Sequence, residues 1–110
     1  FYSDNFSNAA IFFANALKLS PNDTDIKIAR ANALMQLKMY AESNTLLREI
    51  SIGDKNYPAA LFNIGVNYFN LNEKDLACDY WVQAKEIGHL KAEDATQRHC
   101  EKRLGRVKKW

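Results

Sequence analysis

The chain has 110 residues, of which 47% are hydrophobic and 25% charged, enough for one packed domain and too apolar for a disordered segment. Only two prolines and four glycines punctuate it, which argues against a turn-dense all-β fold and for helices joined by short loops. The net charge of +2 is unevenly placed: residues 1–90 carry 8 Lys+Arg against 10 Asp+Glu, and residues 91–110 carry 7 against 3, so the basic character belongs to the C-terminal end.

In chain order, Phe1 and Tyr2 read as the last turn of a preceding helix. A first helix is expected over 4–19, with Phe6, Ala9, Ala10, Phe13 and Leu17 on one stripe. Its centre, including Ile11, Phe12 and Ala14, is apolar nearly all round. Such a helix expects burial on more than one side, so self-association through Phe12 and Phe13 is an expectation. Pro21 marks a loop, and Asp23 or Thr24 caps a second helix over 24–37. A third helix is expected over 40–52, stopped by Gly53. After a turn at 54–56, Pro58 suits the first turn of a fourth helix running to 71. Asn72 reads as the cap of a fifth helix, ended by Gly88, and a sixth runs over 89–104 to Gly105, followed by a basic tail at 105–110. No apolar run approaches the roughly 18 residues that span a bilayer. The chain lacks a starting Met and opens inside an element, so it reads as a piece of a longer protein, with any targeting segment expected outside it.

Sliding the sequence by 34 residues brings like onto like. Ala9, Ser43 and Ala77 coincide, as do Phe13, Leu47 and Trp81, and Ala16, Ile50 and Ala84. Phe6 falls on Tyr40, Ala31 on Gly65, and Leu34 on Tyr68. Leu61-x2-Ile64-Gly65-x2-Tyr68, followed by Ala77-x3-Trp81, resembles the tetratricopeptide repeat, a helix–turn–helix unit of 34 residues. The segment around Trp81, Ala84, Gly88 and His89 also resembles the Sel1-type repeat, whose usual period is slightly longer. The middle repeat departs most, with Lys27 and Arg30 at positions that are usually apolar.

The resemblance implies an all-α fold of about six helices, stacked as an α-α superhelix. Its parts are the second helix of a first repeat (1–21), a second repeat (22–55), a third (56–89) and a capping helix (90–104). It also implies a protein-interaction scaffold that holds a peptide or helix of a partner in a concave groove lined by the first helix of each pair. The groove positions carried over are Ile28, Asn32, Met35, Phe62, Asn63, Val66, Phe69 and Asn70, with Gln97, Cys100 and Arg103 added by the last helix. Asn amides suit a peptide backbone, and Phe62, Val66, Phe69 and Met35 offer apolar area. The family's carboxylate clamp for chaperone tails would put its basic residues at Ile28, Glu93 and Gln97. None is basic, so an apolar or helical ligand is expected instead, as in helix-in-groove recognition.

Other chemistries find little support. No nucleophile–base pair, paired carboxylates or Gly-rich phosphate loop stands out, so no enzymatic activity, metal or cofactor is expected. His89 and His99 lack ligand spacing. Cys78 and Cys100 read as ordinary buried thiols, not as a disulfide framework. Nucleic acid or an acidic partner is the alternative, through Arg98, Lys102, Arg103, Arg106, Lys108 and Lys109. A solvated, cationic helix end explains those residues more simply.

Overall fold

The structure, a computed structural model, describes residues 2–100, with side chains from residue 4 onward. The described residues form an all-α chain of six helices: α1 (Tyr2–Leu19), α2 (Thr24–Gln36), α3 (Tyr40–Leu47), α4 (Tyr57–Asn70), α5 (Lys74–Glu86) and α6 (Leu90–His99). Each packs principally against its neighbours in sequence, as a helical-repeat fold requires. No helix among the described residues is long and apolar enough to cross a membrane.

The turns explain the boundaries. Asp23 caps α2 by accepting the Ile26 N–H at 3.2 Å. The helices α2, α4 and α5 all end in the same way, with one residue in the left-handed region: Lys38 at φ 62°, Asn72 at φ 62° and Gly88 at φ 91°. In each case the next N–H reaches back across the last turn: Met39 to the Leu34 carbonyl, Glu73 to that of Tyr68, and His89 to that of Ala84. Lys38 and Asn72 stand one sequence period apart, so the recurrence is present in the backbone as well as in the side chains.

Several expectations are corrected here. Tyr2 belongs to α1 itself, not to a preceding helix. Asn72 closes α4, and the residue before α5 is Glu73. The third helix stops at Leu47, five residues before 52: the Glu49 and Ile50 N–H groups donate to carbonyls only three residues back, those of Leu46 and Leu47, so the chain tightens out of the α-helix, and Asp54 holds the turn that follows. The Asp54 carboxylate accepts from the Thr24 hydroxyl at 3.1 Å and from the Asn56 N–H at 2.8 Å. Ile50 nevertheless stays buried, in the packing place that Ala84 fills in the next repeat. The sixth helix is described to His99. Its expected continuation to Gly105, the tail at 105–110, and Lys102, Arg103, Arg106, Lys108 and Lys109 lie outside the described residues.

Small and large residues divide the core as the period demands. Ala31, Leu47, Ile50, Ala60 and Ile64 form the centre, and burying side chains of Leu or Ile size contributes about 1.5–3 kcal/mol each. Gly65 lies directly under Trp81. A Cβ there would fall within 2.5 Å of the indole Cδ1 and closer still to Nε1. Ala31 occupies the same place one period earlier and keeps its methyl group, because Leu47, not Trp, belongs to that cluster.

Lys27 and Arg30, the two departures from the repeat pattern, are accommodated at their ends. Lys27 is buried along its stem while its ammonium meets Glu49 at 3.1 Å, and Arg30 Nε donates to the Ala10 carbonyl at 3.3 Å. A buried polar knot joins α3 to α4. The Asn67 amide donates to Ser43 Oγ at 3.0 Å and to Asn44 Oδ1 at 2.8 Å, and Ser43 donates to the Ala31 carbonyl at 3.0 Å.

The cysteines overturn their reading as free thiols. Cys78 on α5 and Cys100 at the end of α6 are joined by a disulfide, with Cα atoms 5.8 Å apart. Closing a loop of 22 residues in the unfolded chain contributes about 3 kcal/mol on the chain-entropy account.

Candidate functional site

Two adjoining cavities run along one face of the helix array, each bounded by α4 and by α6 or the turn before it. The first, of about 600 Å³, has a floor of Phe62, Val66, Phe69 and Trp81 and a wall of Leu90, Asp94, Ala95 and Arg98. The second, of about 610 Å³, continues toward α2 through Ile28, Asn32, Pro58 and Asn63. Phe62, Leu90 and Lys91 border both, so the two form one groove.

The residues carried over from the repeat resemblance divide as follows. Ile28, Asn32, Phe62 and Asn63 meet in the second cavity. Phe62, Val66, Phe69 and Asn70 meet in the first. Met35 is half-buried on α2 and lines neither cavity.

The expectation for the last helix is corrected. Cys100 is sealed in the disulfide at 1% exposure, Gln97 is exposed but lines neither cavity, and Arg103 lies outside the described residues. The reason is the rotation of α6. Ala92, Thr96 and Cys100, four residues apart, face inward and are buried, which turns Leu90, Lys91, Asp94, Ala95 and Arg98 toward the groove.

The floor is aromatic and closely coupled. Trp81 is 3% exposed, and its indole N–H donates to the Phe62 carbonyl at 3.1 Å. Phe69 lies 5.6 Å from Trp81 between ring centroids, and Phe62 lies 6.4 Å from it. The two histidines, which carried no chemical reading in the sequence, bracket this floor. His89 stacks on Phe62 at 4.8 Å, and His99 packs on Phe69 at 4.6 Å and on Trp81 at 5.7 Å. His89 also begins α6, its Nδ1 accepting the Ala92 N–H at 3.3 Å. Burial holds the His89 imidazole below its ordinary pKa, and the nearby Lys91 charge adds to that depression.

The matching family models and curated sequences number none.

The groove's polar equipment is amide on the side of α2 and α4 and ionic on the side of α6. Asn63 Nδ2 donates to Asn32 Oδ1 at 3.1 Å, bridging α4 and α2, which leaves the Asn32 amide donors and the Asn63 carbonyl oxygen without a partner among the described residues. That is one donor group and one acceptor side by side, the complement of a peptide unit. Helix α4 carries no charged residue. The charges come from α6, where Arg98 pairs with Asp94 at 3.0 Å and Lys91 is exposed.

Proposed function

We propose that this chain is a protein-binding module of the tetratricopeptide type, which holds an extended segment of a partner protein along the groove between α2, α4 and α6. The observation that carries the reading is the pairing of Asn32 with Asn63 beside an aromatic floor. The amides match the hydrogen-bonding needs of an extended backbone, and Phe62, Val66 and Phe69, backed by the buried Trp81, offer apolar area for alternate side chains. The period of 34 and the repeated left-handed turn at Lys38 and Asn72 support the choice of family. Without a cluster of cations on α2 and α4, the groove favours an apolar segment over a carboxylate terminus.

A displayed library of random 12-residue peptides, panned against the chain, tests this. Peptides rich in apolar and aromatic residues are expected to be recovered, and Asn63→Ala is expected to weaken the best of them by about 10-fold, as loss of one or two buried hydrogen bonds predicts. Binding that is untouched by Asn63→Ala and by Phe69→Ala would remove the groove as the binding site.

A further inference from the structure

We propose that the Cys78–Cys100 bridge is a redox gate on the groove: α6, and with it one wall, stays docked only while the two sulfurs are joined. The proposal requires no ligand, and its test reads α6 directly, so its failure would leave the peptide-binding reading standing.

Three observations combine. First, α6 has ten residues, and a helix so short does not persist without tertiary support. Second, that support is made largely of small side chains. The helix buries Ala92 and Thr96, both small side chains, together with Cys100, and its principal partner is α5. Third, the bridge sits where it has most leverage. The beginning of α6 is tied by the tight turn at Gly88 and the His89 cap, whereas Cys100 lies at the opposite end, immediately after His99. Cutting the bridge removes the covalent tie between that end and α5. His99 then leaves Phe69 and Trp81, and Arg98 leaves the cavity wall.

The chemistry is thiol–disulfide exchange with a dithiol. One thiolate of the reductant attacks a sulfur of the bridge, forming a mixed disulfide and releasing one Cys thiolate. The second thiolate of the reductant then displaces the other Cys and closes its own disulfide. Two electrons pass to the protein, and each Cys takes up one proton. Because Cys78 and Cys100 are 2% and 1% exposed, attack waits on lifting of α6, so reduction and undocking reinforce one another.

Hydrogen exchange on the full chain, read by mass spectrometry, tests the gate in the air-oxidised form, the dithiothreitol-reduced form and a Cys78→Ala, Cys100→Ala double variant. In the reduced and variant forms, α6 amides are expected to exchange at least tenfold faster while α4 amides change less than twofold. In a Trp110→Phe background, acrylamide quenching of Trp81 is expected to rise on reduction. Equal protection of α6 in the oxidised and reduced forms overturns the proposal. So does loss of α4 protection together with α6, which would make the bridge a support of the whole domain. So, too, does complete alkylation of both cysteines in the air-oxidised chain without reductant.

Discussion

Gly65 is glycine because Trp81 leaves it no room. Any side chain at that position must displace an indole that is 3% exposed and hydrogen-bonded to the Phe62 carbonyl. Gly65→Ala is therefore expected to destabilise the fold by about 1–3 kcal/mol through overpacking, despite the better helix propensity of alanine. Urea unfolding checks this, and an unchanged midpoint would contradict it. The pairing was half legible. The period placed Gly65 against Ala31 and Trp81 against Leu47, but not the contact that makes each pair a matched exchange of volume. The two asparagines at 32 and 63 were legible as groove residues, whereas their mutual hydrogen bond depends on the spacing between α2 and α4. The disulfide was illegible for a related reason. A separation of 22 residues joins Cys78 to Cys100 only if α6 presents the same stripe as Ala92 and Thr96 to α5, and that packing is a property of the two helices together, not of either one alone.

At the level of elements, α6 depends on one imidazole. The His89 cap needs Nδ1 unprotonated to accept the Ala92 N–H, and the depressed pKa of the folded state agrees with that requirement. The unfolded chain, with an imidazole near 6.5, binds a proton before the folded chain does. The stabilising contribution is thus fully present above about pH 6.5 and is lost as the pH falls through the lower folded-state value. Denaturant unfolding at pH 7 and pH 5 is expected to show a drop that shrinks in His89→Asn, whose amide caps a helix without titrating. An equal drop in both proteins would assign the pH dependence to other groups. The sequence marked Gly88 as the stop of α5, and that held. It did not mark His89 as a cap, because histidine is not among the usual cap residues. The early end of α3 was hidden for another reason: Asp54 is engaged by Thr24, a residue thirty positions away.

Across the whole molecule, the six described helices touch mainly in sequence order, so the fold is built from local contacts and is expected to form quickly for its size. That order was the most legible property of all, since a fixed period already implies stacking of neighbours. The two ends differ. Ile11 and Phe12 on α1 are 62% and 67% exposed. They predict concentration-dependent association in sedimentation velocity, weakened by Phe12→Glu. A constant single-chain mass up to millimolar protein would count against it.

The polar, stapled helix at the other end gives the array a direction. Lys91, Glu93, Asp94, Gln97 and Arg98 are all exposed on α6, and the bridge fastens that helix to α5. A helix pair laid against α1 therefore meets apolar side chains ready to be covered, whereas one laid against the exposed face of α6 meets mostly charge around Leu90, on a helix already fixed in place. For anyone redesigning this array, α1 is the face to build on and the bridged helix the face to leave alone.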